Sequence, residues 1–172
     1  MKGLTDLFEI KAEDLPSVYC DMDMVLCNFM KKADEVTGGN FVTADKTQRW
    51  KDISNTKNFW ADLEWMPGAK RIYRMIIKYD AHILSAYSAK DPSSKNGKMK
   101  WLSKNTEFRR GNIHLVTRAQ KQAFAKNAQG EPNVLIDDYI KNIKEWEEKG
   151  GIGIHHTSVP RTLGELKRLG FK

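Results

Sequence analysis

Apolar residues along the chain follow two patterns, short continuous runs and longer segments with helical spacing. The runs predict five buried strands, at residues 17–20, 81–84, 113–116, 133–136 and 152–155. Helical spacing is clearest at residues 69–78, where Ala69, Ile72 and Ile76 share one face and basic residues occupy the other. Strands that alternate with helices predict an α/β fold, with a parallel Rossmann-like sheet covered by helices on both faces, in three layers.

Weaker patterns predict the remaining helices. We expect helices at residues 28–37, 98–104 and 140–149, a helical turn at 121–126, and a last helix opened by a capping box of Thr162 and Glu165. Glycines that follow three of these segments, at Gly38, Gly150 and Gly170, are typical of helix ends.

The segment that follows the first helix has a different composition. Residues 40–66 are polar, and their apolar residues form only short patterns. The segment carries five large aromatic side chains, those of Phe41, Trp50, Phe59, Trp60 and Trp65. A connection this long is unusual between a strand and the next regular element. We therefore interpret residues 1–172 as one domain with a small helical cap at about 30–66, inserted after the first strand. Residues 1–16 are expected to form a peripheral lead-in.

Composition places the chain among globular proteins, with 40% hydrophobic and 30% charged residues. No apolar run reaches the roughly 20 residues of a membrane span, and the first residues lack a signal-peptide core, so we expect a cytoplasmic protein without a membrane partner. Cys20 and Cys27, the only cysteines, are expected to be buried thiols. The net charge of +7 suits either nucleic acid or small anions such as phosphate esters.

Polar residues follow three of the predicted strands where each strand ends. In a parallel sheet these ends lie at one edge, so the side chains can converge. Clustered carboxylates require a cation, and oxygen ligands favour Mg²⁺. A nearby hydroxyl and lysine suit a phosphoryl group, which one carboxylate can attack while a second transfers protons. The residues concerned are Asp21, Asp23, Ser85, Lys121, Asp137 and Asp138.

Each of these residues also has a simpler interpretation. Asp21 and Asp23 could end a strand that runs into a solvated turn, and Asp137-Asp138 could cap the helix that follows. A lone lysine such as Lys121 is usually exposed. The basic residues at 95, 98 and 100 are expected to form a solvated face, with Lys98 as the one that could help an anionic substrate to dock.

Several segments between residues 18 and 157 resemble one known family. They are Asp21–Phe29, Phe59-Trp60 with Pro67-Gly68-Ala69, Ile83-Leu84-Ser85, Thr117-Arg118 with Lys121, and Leu135–Asp138 continuing through Asn142-Ile143, Trp146-Glu147 and Gly150-Gly151. Together they look like the motifs of haloacid-dehalogenase-type (HAD) phosphohydrolases. Within that superfamily the resemblance is to the 5'(3')-deoxyribonucleotidase branch, which includes small phage and bacterial nucleotidases.

The resemblance implies a role for each motif. Asp21 would be the nucleophile, and Asp23 would be the general acid and base. Mg²⁺ would be held by Asp21, the backbone carbonyl of Asp23 and the pair Asp137-Asp138, of which either could be the direct ligand.

By the same resemblance, Ser85 and Lys121 would hold the phosphoryl group, with help from the amide of Ala86. Phe29 and Trp60 would stack against or enclose a nucleobase, and a helical cap would follow the first motif.

Three departures from the family pattern concern the substrate. Met24 stands where glycine is common, so the entrance to the phosphate site could be narrower. Ser85-Ala86-Tyr87 replaces a Thr-Ser-Pro type of turn and removes one hydroxyl. The segment between Lys121 and Asp137 is longer than in the mammalian-type enzymes, which makes Lys126 an alternative phosphate lysine; we prefer Lys121 because Thr117-Arg118 anchors it.

We therefore predict a Mg²⁺-dependent phosphomonoesterase that hydrolyses nucleoside monophosphates through an aspartyl-phosphate intermediate. Among these substrates, the resemblance favours deoxyribonucleotides. The alternatives are another small phosphate ester or a nucleic-acid 3'-end, and a basic nucleic-acid-binding protein without catalysis. A signalling receiver domain also places Asp, hydroxyl and Lys side chains together on a parallel sheet. We disfavour this class because its acidic residues follow a different order along the chain and it has no inserted cap. We expect a small phosphorylated substrate instead of nucleic acid, and the sequence is compatible with a homodimer.

Overall fold

The computed structural model describes residues 12–172; most of the predicted lead-in, residues 1–11, lies outside the described part. This part of the chain contains five strands and six α-helices. The strands are β1 Val18–Cys20, β2 His82–Ala86, β3 Ile113–Val116, β4 Val134–Asp137 and β5 Ile152–His155. The helices are α1 Phe29–Val36, α2 Lys46–Asn55, α3 Ala69–Ile76, α4 Ser94–Asn105, α5 Ile140–Glu148 and α6 Val159–Arg168. Three α-helices separate β1 from β2, and only a 3-10 helix separates β3 from β4.

The five strands form one parallel sheet in the order β3-β2-β1-β4-β5. The prediction of a parallel α/β sheet is confirmed. The first strand lies at the centre, where Cys20 is in register with Ile83 of β2 and with Ile136 of β4. From β1 the chain builds outward to β2 and β3 on one side, and then to β4 and β5 on the other. The order therefore reverses between β1 and β4, which is where open α/β sheets bind ligands.

Alternating strand residues point into two cores, one on each face of the sheet. Val134 and Ile136 belong to the larger core, which also contains buried side chains of α3, α4 and α6. Leu135 belongs to the smaller core, with Ile143 and Trp146 of α5. Helices thus cover both faces of the sheet, and the molecule has the three layers that the sequence predicted.

Helices α1, α2 and α6 begin at a side-chain cap, and one predicted cap is wrong. Helix α6 begins after Ser158, whose hydroxyl accepts a hydrogen bond from the backbone of Arg161, and Pro160 lies in its first turn. Thr162 is buried inside the helix, and its hydroxyl lies 2.7 Å from a ring nitrogen of His156. It therefore cannot open the helix, as the predicted capping box with Glu165 required.

The segment between β1 and α3 contains helices α1 and α2 and a cluster of aromatic rings. Phe29 contacts Phe41, Phe59 and Trp60, and Phe41 contacts Trp50. None of the described helices is long and apolar enough to cross a membrane.

Candidate active site

Two acidic residues lie at the point where the strand order reverses. Asp21 follows β1 directly, and its backbone N–H donates to the carbonyl of Ile136 at 2.9 Å. Asp137 is the last residue of the neighbouring strand β4 and is fully buried. Because β1 and β4 are adjacent and parallel, Asp21 and Asp137 lie at the same edge of the sheet although they are far apart in the sequence.

Lys121 joins these two carboxylates. Its Nζ lies 3.1 Å from Oδ1 of Asp21 and 2.7 Å from Oδ2 of Asp137, and the side chain is 4% exposed. A capping box between Thr117 and Gln120 starts the short 3-10 helix that carries the lysine. Burial alone would lower the pKa of Lys121, but the two carboxylates outweigh burial and raise that pKa, so the ammonium stays charged.

Asp137 is held rigidly, whereas Asp138 is the freer acid. Oδ2 of Asp137 also accepts from Asn142 at 3.0 Å, and its Oδ1 accepts from the backbone of Tyr139 at 2.9 Å. The carbonyl of Asp138 lies 3.0 Å from Nε2 of His155, while no ion pair involves its carboxylate among residues 12–172. Burial, and then the charge of Asp21, raise the pKa of Asp137 to about 6 and that of Asp138 to about 7.

The acidic cluster has the donor set of a hard cation. One carboxylate oxygen each from Asp21, Asp137 and Asp138 lie within 4.8 Å of one another. Three ionised carboxylates and the ammonium of Lys121 leave two formal negative charges, which a divalent ion would balance. Oxygen ligands are those that Mg²⁺ prefers, so these residues fit such an ion and could hold it.

Lys98 is a functional candidate that the sequence interpretation placed wrongly. We expected it on a solvated face, but the residue is fully buried. Its Nζ donates to Oδ2 of Asp23 at 2.8 Å, to the hydroxyl of Ser85 at 3.0 Å and to the carbonyl of Ala86 at 2.8 Å. These three oxygen atoms accept the hydrogen bonds that the ammonium of an exposed lysine would donate to water.

Asp23 lies in a tight turn just beyond β1. The carbonyl of Met22 accepts hydrogen bonds from the backbone of three following residues, Val25, Leu26 and Cys27. The Asp23 side chain is 28% exposed, yet its Oδ1 is buried without a hydrogen-bond partner among the described residues. Burial raises the pKa of Asp23, although the charge of Lys98 opposes this shift. A raised pKa keeps a proton on this carboxyl up to a higher pH, which is what a general acid needs.

Met24, in the same turn, adopts a left-handed backbone with φ of 63°. This conformation favours glycine, which is the residue that the family pattern has at this position. The backbone thus accounts for a glycine at this position but not for methionine, which adopts this conformation at an energetic cost.

The aromatic residues predicted to bind a base differ in exposure. Phe29 is half-buried and stacks on Trp60 with ring centroids 5.5 Å apart, whereas Trp60 is only 3% exposed. The indole N–H of Trp60 donates to Asp91 at 2.7 Å, and Nζ of Lys98 lies 5.3 Å from its ring centre. A role of Phe29 and Trp60 in base binding stays a prediction.

Helix α4 approaches Trp60 closely because residue 97 is glycine. A Cβ atom at Gly97 would lie 2.5 Å from Cβ of Trp60, well inside van der Waals contact. The next residue along the helix is Lys98, so this close approach also brings the lysine within reach of Asp23.

The structure brings together most of the predicted site residues. Ser85 is the fourth residue of β2 and is buried, and Ala86 ends the same strand. Of the two candidate lysines, Lys121 lies between the acids. Lys126 instead lies against Gly150 and pairs with Pro132 just before β4 begins, away from the carboxyl edge. The catalytic and binding roles of these residues remain predictions.

Comparison with known proteins identifies the fold only. No family model matches the chain, and no curated protein matches it. Among solved structures, a hydrolase from Streptococcus pneumoniae TIGR4 is similar, with a TM-score of 0.57 and 11% sequence identity. The similarity covers 89% of this chain and 98% of that protein. At this identity the likeness establishes a shared α/β architecture, and function has to be argued from the site.

Proposed function

We propose that this protein is a Mg²⁺-dependent phosphomonoesterase of the haloacid dehalogenase type, acting on nucleoside monophosphates. The observation that carries the proposal is the contact of Lys121 with both Asp21 and Asp137, beside Asp138, at the reversal point of the sheet. The hydrolase name of the similar S. pneumoniae protein agrees with it. A cluster of acids with one shared lysine is suited to a phosphoryl group and its cation.

In the first step, a carboxylate oxygen of Asp21 attacks phosphorus, and the bond from phosphorus to the ester oxygen breaks. Lys121 engages Oδ1 of Asp21, which leaves Oδ2 as the attacking atom. Asp23, whose pKa burial raises, gives its proton to the departing alcohol. The products are an aspartyl-phosphate and the free nucleoside.

In the second step, Asp23 takes a proton from water as that water attacks phosphorus. The bond between phosphorus and Asp21 breaks, which releases inorganic phosphate, restores the carboxylate of Asp21 and leaves Asp23 protonated again. Lys98 holds Asp23 and Ser85 in place through hydrogen bonds of 2.8 and 3.0 Å, so the acid and the phosphate-binding hydroxyl keep a fixed relation. Lys121 and Ser85 contact the phosphoryl oxygens.

Mg²⁺ would be held by Asp21 and the pair Asp137-Asp138, and when bound it supplies positive charge that offsets repulsion between these acids and the phosphate. Asp138 is the more available ligand of the pair, because three donors already engage the oxygens of Asp137. Helices α1 and α2 act as the cap, and the partly exposed ring of Phe29 offers a surface on which a base can stack.

The test is hydrolysis of p-nitrophenyl phosphate by wild type and Asp21→Asn, in Mg²⁺ and in EDTA. We expect activity only in wild type with Mg²⁺, and a loss of at least about 10³-fold in Asp21→Asn. Asp62→Asn, which changes an exposed aspartate, is the matched control. A panel of 5' and 3' nucleoside monophosphates then tests the substrate class. Activity that survives in Asp21→Asn would refute the assigned nucleophile.

A further inference from the structure

A recess separate from the acidic cluster lies between α2 and the loop that follows β2. It has a volume of about 340 Å³ and is open to solvent. Most of its wall comes from one face of α2, and Lys90 closes it from the loop. The side chains that matter for its chemistry are Lys46, Trp50, Lys51, Ser54, Asn55 and Lys90.

The recess is positively charged without compensation. Lys46, Lys51 and Lys90 line it, no carboxylate does, and none of the three lysines forms an ion pair within residues 12–172. The other lining groups of Ser54 and Asn55 can donate hydrogen bonds. Trp50 adds a flat, half-buried ring. Three free cations beside an aromatic ring fit a ligand with several negative charges and a flat ring system.

Contacts connect this recess to the acidic site along two routes. Trp50 packs on Phe41, Phe41 on Phe29, and Phe29 stacks on Trp60, in an unbroken series of rings. On the other side, Lys90 directly precedes Asp91, which accepts the indole N–H of Trp60. Phe41 and Trp60 are buried, so the partly exposed rings of Phe29 and Trp50 are the surface along which a chain that begins in the acidic site would reach the three lysines.

We propose that the recess binds the internal phosphates of a short single-stranded oligonucleotide whose terminal phosphate occupies the acidic site. This inference rests on the proposed function and extends its substrate class from mononucleotides to oligonucleotides. Stacking on aromatic rings combined with a cationic groove along the backbone is the general means by which proteins hold single strands without reading their sequence.

The size of the effect follows from the number of lysines. For single-stranded nucleic acid, log affinity falls with log salt with a slope of about −0.7 for each phosphate that is neutralised. Three lysines give a slope of about −2, so raising the salt fourfold, from 50 to 200 mM, lowers affinity by about twentyfold. A mononucleotide, which does not reach the recess, loses much less.

The experiment compares terminal-phosphate release from a mononucleotide and from tetranucleotides with a 5'- or 3'-phosphate, at both salt concentrations. Wild type is compared with the triple variant Lys46→Gln, Lys51→Gln and Lys90→Gln. The control triple variant removes the same charge elsewhere, at three exposed lysines on α5, just after it, and on α6: Lys144→Gln, Lys149→Gln and Lys167→Gln. The quantity measured is the ratio of kcat/KM for tetranucleotide to that for mononucleotide.

We expect a ratio of about ten or more at low salt in wild type and in the control, and a ratio near one in the recess variant. A ratio near one in wild type, or equal losses in both triple variants, would overturn the inference. Binding of fluorescent tetranucleotide is measured in parallel, by anisotropy. If no variant hydrolyses any phosphate ester, the proposed function fails. Tetranucleotide binding that weakens in the recess variant and not in the control variant would then still support the oligonucleotide site. Binding that is unchanged in the recess variant would overturn the inference.

Discussion

Replacing Lys98 with methionine removes a buried ammonium and keeps a side chain of similar length. The change leaves three oxygen atoms without their donor, namely Oδ2 of Asp23, the hydroxyl of Ser85 and the carbonyl of Ala86. Methionine fills the space of the lysine stem, so the substitution tests the charge and its hydrogen bonds and creates little cavity.

The expected loss of stability is large for a single lysine. Removing one partner of a buried ion pair costs about 3–5 kcal/mol. Asp23 is 28% exposed and can take up a proton, which recovers part of this energy. We therefore expect Lys98→Met to lower the free energy of unfolding by about 2–4 kcal/mol at pH 8.

The cost should depend on pH in a definite direction. Burial already raises the pKa of Asp23 while Lys98 opposes the shift, so loss of the lysine raises that pKa further. A carboxyl whose pKa is higher in the folded state stabilises the fold at low pH and loses that contribution as pH rises. Lys98→Met is therefore expected to cost less at pH 5 than at pH 8.

Urea unfolding at pH 5 and pH 8 measures both effects, with Lys100→Met as the matched control. Lys100 lies on the same helix, is exposed and forms no ion pair among the described residues, so its replacement should change stability by no more than about 0.5 kcal/mol. Equal costs for the two variants, or a cost of Lys98→Met that grows toward pH 5, would show that Lys98 is not the donor that holds Asp23 and Ser85.

Two further predictions concern the acidic cluster and the turn beside it. Burial and the charge of Asp21 raise the pKa of Asp138 to about 7, so the wild type loses stability as pH rises and this carboxyl ionises. The free energy of unfolding of Asp138→Asn in EDTA should therefore rise relative to that of wild type by about 1–3 kcal/mol between pH 5 and pH 8. Mg²⁺ should reduce or reverse the gain, and a difference in unfolding energy that stays flat with pH would contradict the assignment. At φ of 63°, Met24→Gly should be more stable than Met24→Ala by about 1 kcal/mol in urea unfolding, since both remove the side chain and only alanine keeps the backbone cost; equal midpoints would be the contrary result.

Much of the fold was readable from the sequence because strand and helix patterns are local. The limits of β3 and β5 agree with the predicted runs at 113–116 and 152–155. Helix α4 starts at Ser94, four residues before the predicted start, because its first turn is polar and lacks an apolar stripe. The start of α6 differs from the prediction because Thr162 and Glu165 match a capping box by spacing alone, whereas Ser158 and Pro160 form the actual start.

The site was predicted less completely because it depends on contacts between distant segments. Lys98 looked like one lysine among several, and its burial results from acceptors on β2 and after β1. A local signal was nevertheless present: Lys98, Trp101 and Leu102 lie three and four residues apart and therefore share one helix face. Trp101 and Leu102 are buried, and Lys98 on their face is buried with them.

The glycine at position 97 has a consequence for which residues this position tolerates. The atom that excludes a side chain there is Cβ of Trp60, which every residue except glycine would also carry at position 60. Shortening the side chain at position 60 therefore makes no room for a Cβ atom at position 97. The demand for glycine is set by how closely the two backbones approach, and a second substitution at position 60 to anything but glycine would not relieve it.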